Sequence, residues 1–220
     1  MEFLSPLRYP GGKAKVADFV QCLIKKNALL DCTYVEPYVG GGSVALSLLF
    51  NEYVRDIYIN DKDISIYAFW YSVLHESEAL CKLIKDTPIN VDIWHKLKEV
   101  QSNKENVDLL SLGFSTFFLN RTNRSGILKA GVIGGYDQTG NYKIDARFNK
   151  NDLIKRIQRI ADYADRIYLS NEDAVTLVQR LNNELSHNTL FYLDPPYYIK
   201  GKGLYMNLSL IHISEPTRPY

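Results

Sequence analysis

A short strand, a glycine-rich turn, a helix and a second strand follow one another without interruption near the start of this chain. Residues 33–36 and 56–60 are runs of β-forming residues, and residues 43–51 between them have a helical pattern with Ser43 as the expected cap. The turn at residues 37–42 ends in three consecutive glycines. A helix that connects neighbouring strands of one sheet makes them parallel, so this unit predicts an α/β fold.

Two further strands extend the same pattern later in the chain. Residues 166–170 are a short run of β-formers, and a helix that ends at about Leu185 follows them. Residues 189–193 are apolar and rich in β-formers, which is typical of a buried strand in a parallel sheet. The sequence therefore predicts one doubly wound sheet, with residues 63–165 inserted between its two halves.

The inserted segment differs in character from the rest of the chain. Its pattern is helical and rich in aromatic residues from residue 64 to about residue 119, whereas the glycines of residues 120–142 favour a loop or ribbon. A basic amphipathic helix is expected at residues 149–164. Residues 111–170 hold ten Lys and Arg against five Asp, a net +5, although the whole chain carries only +1. Such a local excess suits a surface that binds phosphate, although a solvated basic face is equally compatible with it.

Other classes of protein are disfavoured by simple features. The chain has no signal peptide and no apolar run long enough for a membrane span, so we expect a cytoplasmic protein. Cys22, Cys32 and Cys81 have no CxxC spacing, and the four histidines have no ligand spacing either. We therefore expect core thiols and no metal site.

A chemical motif follows the last predicted strand, where residues 190–198 read Leu-Phe-Tyr-Leu-Asp-Pro-Pro-Tyr-Tyr. Asp194 stands at the carboxyl end of that strand, which is where open α/β sheets bind their ligands. Pro195 and Pro196 have no N–H, so the backbone there offers carbonyl acceptors only. With the ring of Tyr197, these groups predict a site for a planar molecule that carries an amino group.

Two glycine-containing turns predict a second ligand beside the first. Asp61 lies about 20 residues beyond the triple glycine, where such units place the acid that binds ribose hydroxyls. The glycines do not spell G-x-G-x-x-G, which disfavours a dinucleotide and favours another adenosine-bearing cofactor. Residues 10–13, Pro-Gly-Gly-Lys, form a turn whose backbone can approach a ligand closely. A purely structural role for either turn is the simpler alternative.

Taken together, four motifs in this order resemble the Dam-type adenine-N6 DNA methyltransferases. The motifs are residues 9–13, residues 36–42, Asn60-Asp61 and residues 194–197, and the resemblance extends from about Leu4 to Asn207. It implies a Rossmann-like S-adenosylmethionine-dependent methyltransferase sheet that is interrupted by a mainly helical target-recognition insertion. Residues 1–62 and 166–207 would then form the catalytic domain, and residues 63–165 would bind DNA.

The same resemblance implies a role for individual residues. The cofactor S-adenosyl-L-methionine would be bound by Tyr9, Lys13, Glu36, Gly40, Gly42, Asp61, Asp173 and Asp194. The catalytic residues would be Asp194, Pro195, Pro196 and Tyr197. Contacts to double-stranded DNA would come from Asn120, Arg121, Asn123, Arg124 and Lys129. The implied reaction transfers a methyl group to N6 of an adenine that has swung out of the duplex.

Some alternatives remain open at the level of sequence. The same tetrapeptide serves adenine-N6 methyltransferases that act on RNA, and an inactive nucleic-acid-binding remnant would keep the same surface. Cytosine-N4 methylation is less favoured, since those enzymes more often carry Ser at the position of Asp194. Residues 209–218 read like a translated transposon-end adapter, so we expect residues 208–220 to be non-native. The last predicted strand would then be left as a sheet edge.

Overall fold

The fold is described from a computed structural model, which covers residues 4–8 and 14–195. The strands are β1 (Cys32–Glu36), β2 (Val54–Asn60), β3 (Ile167–Ser170) and β4 (Thr189–Phe191). The helices are α1 (Ala14–Lys26), α2 (Ser43–Phe50), α3 (Ile64–His75), α4 (Ser77–Asp86), α5 (Val91–Ser102), α6 (Leu109–Thr122), α7 (Lys150–Ala161) and α8 (Ala174–Glu184). Within the described residues, every helix is too short or too polar to span a bilayer.

The four strands form one parallel sheet in the order β3-β2-β1-β4, which confirms the predicted α/β class. The chain builds outward from β1 through β2 to β3, and then returns to place β4 on the other side of β1. The strand order therefore reverses between β1 and β4. In open sheets of this kind the crevice at the carboxyl ends of the strands, beside the reversal, is where ligands bind.

Each face of the sheet is covered by its own set of helices. Val35 of β1 packs against Leu177 and Leu181, so α8 covers one face. Tyr34 points to the other face, where the large core includes residues of α1, α2 and α3. All five residues of β1 are buried, as expected for a central strand that is covered on both faces.

The last strand differs from the prediction of a fully buried strand at residues 189–193. β4 ends at Phe191, its three residues are only half-buried, and Leu193 is 56% exposed. Within the part of the chain that the structure describes, β4 pairs with β1 alone and so forms an edge. The backbone N–H of Tyr192 still donates to the carbonyl of Val35 (2.9 Å), which carries the pairing one residue further.

The insertion packs into the same core as the sheet. Phe69 and Trp70 of α3 are fully buried in the cluster that also contains β1 and β2. α6 runs to Thr122, so Asn120 lies inside a helix and not in the loop predicted at residues 120–142. Side chains that accept a hydrogen bond from the first turn cap four of these helices, namely Asp63, Asn90, Asp108 and Asn149.

The expectation of three core thiols was wrong for one of them. Cys32 and Cys81 are buried, and burial raises the pKa of both thiols. Cys22 is exposed, because it lies on the outer side of the amphipathic helix α1.

The glycine-rich turn before α2 depends on a left-handed residue. The cap of α2 is Gly42 (φ 63°) and not Ser43 as predicted, and no side chain caps this helix. A Cβ atom at Gly42 would lie 2.7 Å from the ring of Trp70. Both the backbone conformation and the space therefore require glycine at this position.

We expect Gly42→Ala to lower the free energy of unfolding by about 2–4 kcal/mol, because it adds a clash with Trp70 to the cost of positive φ. Gly135→Ala is the matched control, since Gly135 has a φ of 78° with no atom within 4 Å of the added Cβ. It should cost about 1–2 kcal/mol. Urea denaturation measures both values, and equal losses would contradict the proposed contact with Trp70.

Candidate active site

The loops that follow the four strands all open at one edge of the sheet, because the strands are parallel. Glu36 ends β1, while Asp61, Asp173 and Asp194 lie in the segments that follow β2, β3 and β4. The structure thus brings together four acidic residues that are as many as 158 positions apart in the sequence. Glu36 ends one of the two strands that flank the reversal of strand order, and Asp194 follows the other.

The side chain of Asn60 holds three of these loops together. Its Nδ2 atom donates to the carbonyl oxygens of Pro37 (3.0 Å) and Glu172 (3.1 Å). Its Oδ1 atom accepts from the hydroxyl of Ser170 (2.9 Å) and from the N–H of Glu172 (2.8 Å). Asn60 is completely buried, and all four of its amide positions are used. It fixes the spacing of the loops after β1, β2 and β3.

Asp61 connects the glycine-rich turn to the start of α3. Its Oδ2 atom accepts from the N–H of Gly40 (3.0 Å), and its Oδ1 atom accepts from the N–H of Asp63 (2.9 Å). Asn171 donates to the carbonyl oxygen of Asp61 (2.7 Å), which adds the loop after β3. These two backbone bonds fix the orientation of the carboxylate.

Glu36 is a fully buried carboxylate at the tip of β1. Its Oε2 atom accepts from the N–H of Ala45 (3.3 Å), in the first turn of α2, and from the hydroxyl of Tyr34 (3.3 Å). The amino end of a helix favours a negative charge, since its first N–H groups have no partner within the helix. The carboxylate is therefore held at a fixed position between β1 and the first turn of α2.

Trp70 closes that turn from the side of the insertion. Its indole N–H donates to the carbonyl oxygen of Gly40 (3.0 Å), and its ring lies against Gly42. The peptide groups on either side of Gly40 are thus fixed by Asp61 and Trp70. A turn with its backbone oriented in this way can approach a ligand without further ordering.

Asp173 has two structural partners. Its Oδ1 atom caps α8 by accepting from the N–H of Val175 (3.0 Å), and its Oδ2 atom pairs with Lys62 (2.9 Å). The bond from Lys62 and the helix N–H groups hold the pKa of Asp173 below its ordinary value. The phenol of Tyr38 lies in the same region, where burial and the charge of Asp173 raise its pKa.

Asp194 is half-buried and follows β4 by three residues. Its charge contributes to the raised pKa of Tyr34, although burial and Glu36 contribute more. The ring of Tyr34 also stacks on Tyr192, two residues before Asp194 (6.4 Å between centroids, 18° between planes). Pro195 is exposed. The carboxylates of Glu36 and Asp194 therefore share the surroundings of one buried phenol.

Four of the predicted site residues lie outside the described residues: Tyr9, Lys13, Pro196 and Tyr197. The predicted tail at residues 208–220 lies outside them as well.

Asn120, predicted to contact DNA, lies inside the protein. Its Oδ1 atom accepts from the N–H of Arg8 (2.6 Å), and its Nδ2 atom donates to the carbonyl oxygens of Arg8 and Gly126 (both 2.8 Å). The side chain is 3% exposed. A Cβ atom at Gly126 would lie 2.7 Å from the carbonyl oxygen of Arg8, so the three chain segments are in close contact. In this arrangement the amide of Asn120 cannot reach DNA.

Asn123 has a similar internal role. Its Oδ1 atom accepts from the indole N–H of Trp94 (2.6 Å), and its Nδ2 atom donates to the carbonyl oxygens of Ile127 and Leu128 (both 2.9 Å). The residue has no exposed surface. Its side chain therefore holds the loop after α6 in shape and faces no solvent.

The three cationic residues of the predicted DNA surface differ in their exposure. Arg124 and Lys129 are exposed on the loop after α6. Arg121 is half-buried, and its Nε atom donates to the carbonyl of Arg147 (2.6 Å). Burial and the neighbouring charges of Arg8 and Arg156 lower the pKa of Arg121 to about 10, so it is still a cation at neutral pH.

The sequence assigned no role to three residues that shape the site: Tyr34, Trp70, and Asn60, which stands in one of the four motifs. An Asn beside Asp61, at the end of an apolar strand, is a usable signal, because a buried amide must satisfy all its hydrogen bonds. A Tyr two positions before Glu36 on a buried strand is a weaker signal of the same kind. Nothing in the sequence assigns Trp70 to the glycine-rich turn, since that contact joins segments 30 residues apart.

The chain has informative similarities to known proteins. The family model of the D12 class N6 adenine-specific DNA methyltransferases matches residues 9–209. The Type II methyltransferase M.MjaIII of Methanocaldococcus jannaschii is 22% identical over 210 residues, which cover 90% of this chain and 70% of that protein.

We expect Asn120→Ala to lower the free energy of unfolding by about 2–4 kcal/mol, because it leaves buried backbone groups of Arg8 and Gly126 without partners. Arg124→Ala is the matched control, since Arg124 is exposed and lies four residues further along the chain. It should change the value by less than about 0.5 kcal/mol. Urea denaturation of both variants measures the difference in the free energy of unfolding. An Asn120→Ala variant as stable as the parent would exclude this structural role.

Proposed function

Since the chain belongs to the D12 class of N6 adenine-specific DNA methyltransferases, we propose that its methyl donor is S-adenosyl-L-methionine, bound at the carboxyl ends of β1 and β2. The observation that carries the proposal is the position of Glu36 and Asp61, each fixed by backbone N–H groups around one glycine-rich turn. The target adenine would lie beside it, at Asp194.

The chemistry of these residues fits such a cofactor. The cofactor bears a sulfonium and an amino group, both cationic, and Glu36 offers a buried carboxylate at the turn. Its ribose hydroxyls are donors, and Asp61 offers a carboxylate already oriented by Gly40 and Asp63. Gly40 (φ 46°) and Gly42 lack side chains on the turn that faces the crevice, which permits close approach. Asp173 and Tyr38 lie in the loops expected to border the adenine ring.

When bound, the cofactor supplies an electrophilic methyl group. The amino group of adenine is a poor nucleophile, because its lone pair is delocalised into the ring. Asp194 and the carbonyl oxygen of Pro195 are the two acceptors proposed for its two N–H groups, which would turn the lone pair toward the methyl group. The carboxylate of Asp194 also stabilises the positive charge that develops on the nitrogen, an effect of about 3–4 kcal/mol for comparable groups.

Alignment of the two reactants supplies much of the remaining rate enhancement. Placing a nucleophile and an electrophile in line is worth up to about 7–11 kcal/mol in ideal intramolecular reactions. Here β1 and β4 are neighbours in the sheet, so the residues proposed for the two reactants are held by adjacent hydrogen-bonded strands. The proposed stacking of the extruded base on Tyr197 would complete the alignment.

The proposed substrate is double-stranded DNA, and residues 63–165 are proposed to recognise it. Arg124 and Lys129 are the predicted contacts with exposed cationic side chains, and Arg121 adds a partly buried charge nearby. Asn123 keeps the loop that carries Arg124 and Lys129 in one conformation through its bonds to Ile127 and Leu128. The net charge of +5 on residues 111–170 suits the DNA backbone.

We expect Asp194→Ala to reduce the transfer of labelled methyl groups to duplex DNA by at least about 100-fold, since it removes both an acceptor and a stabilising charge. Leu193→Ala is the control, because Leu193 is exposed next to Asp194. The unfolding midpoint of both variants should match that of the parent. Near-normal turnover by Asp194→Ala would refute the catalytic role, and preferential methylation of RNA would refute the proposed substrate.

A further inference from the structure

Tyr34 is an unusual residue for its position in the sheet. It lies in the middle of the central strand β1, where aliphatic residues are the rule, and it has no exposed surface. Burial of a hydroxyl away from water costs free energy unless the group is hydrogen-bonded. The side chain therefore needs a specific partner, and its partner is Glu36.

Tyr34 contacts residues beside both proposed ligand sites, Glu36 on β1 and Tyr192 after β4. Its hydroxyl donates to the Oε2 atom of Glu36 (3.3 Å), on the same face of the same strand. Its ring stacks on Tyr192, in the segment that leads from β4 to Asp194. Burial, and then the charge of Glu36, keep the pKa of Tyr34 well above its ordinary value, so the hydroxyl stays protonated and remains a donor.

We propose that Tyr34 is a positioning residue for methyl transfer, whose hydroxyl fixes the carboxylate of Glu36 in the orientation that receives S-adenosylmethionine. This inference rests on the proposed function, and it assigns a role that none of the sequence motifs contains. The hydroxyl acts through Glu36 and does not touch the cofactor. The ring has a separate part, since it packs the exit of β4 against β1.

The two parts of Tyr34 can be separated by one substitution. Tyr34→Phe keeps the ring and its stack on Tyr192, and removes only the hydroxyl. Glu36 would then keep the favourable charge interaction with the amino end of α2 and the hydrogen bond from the N–H of Ala45. It would lose the hydroxyl donor that restricts the rotation of its carboxylate. A less restricted carboxylate should bind the cofactor more weakly without changing the chemical step.

The test is a steady-state comparison of the parent with Tyr34→Phe, using S-adenosylmethionine and duplex DNA. We expect the KM for S-adenosylmethionine to rise about tenfold, as for loss of one hydrogen bond to a charged group. The KM for DNA and the kcat at saturating cofactor should change by less than about twofold. Calorimetric titration with S-adenosylmethionine alone should give the same tenfold loss, which ties the effect to cofactor binding.

Tyr58→Phe is the matched control, because Tyr58 lies on the neighbouring strand β2 but packs on the opposite face of the sheet. It should leave cofactor binding unchanged. In a Glu36→Ala background, which has no acceptor for the hydroxyl, the effect of Tyr34→Phe should largely disappear, since the hydroxyl acts through the carboxylate.

The outcomes separate this inference from the proposed function. If the parent binds S-adenosylmethionine and Tyr34→Phe binds it equally well, the positioning role is overturned and the proposed function stands. A fall in kcat with an unchanged KM for S-adenosylmethionine would also overturn it, because the hydroxyl would then act elsewhere. If the parent itself does not bind S-adenosylmethionine, the proposed function and this inference fail together.

Discussion

The arrangement of the site depends on the carboxylate of Asp61. Parallel strands bring their loops to one edge of the sheet, but they do not fix how those loops lie relative to one another. Asp61 joins the loop after β1 to the loop after β2. One of its carboxylate oxygens accepts from the N–H of Gly40 in the first loop, and the other accepts from the N–H of Asp63 in the second. A group that already orients the glycine-rich turn is also well placed to bind a ligand of that turn. Asp61 would then serve both the structure of the turn and the proposed binding of the cofactor.

The insertion and the sheet are parts of one packed structure. Trp70, from the first helix of the insertion, donates to Gly40 and fills the space beside Gly42. The proposed cofactor turn is therefore built partly from the segment that we propose to bind DNA. Asn120 makes a second connection, since it binds both backbone groups of Arg8 just before the Gly-Gly-Lys motif. Contacts of this kind fix the position of the insertion relative to the sheet.

Much of this architecture could be predicted from local patterns. The strands and the parallel sheet follow from short β-forming runs separated by helices, and the positions of Glu36 and Asp61 follow from the glycine-rich turn between them. The exceptions have physical causes. The burial of β4 depends on its neighbours in the sheet, which its own residues do not specify. Asn120 was predicted to contact DNA, whereas its side chain is buried against the backbone of Arg8, 112 positions away. Long-range contacts between polar side chains have no periodicity by which a sequence could reveal them.

The central claim is that the acid which orders the glycine-rich turn also binds the cofactor. Calorimetric titration of S-adenosylmethionine and of duplex DNA into the parent and into Asp61→Ala tests it most directly. We predict that the affinity for S-adenosylmethionine falls by about tenfold or more, while the affinity for DNA changes by less than about threefold. An unchanged affinity for S-adenosylmethionine would contradict the account.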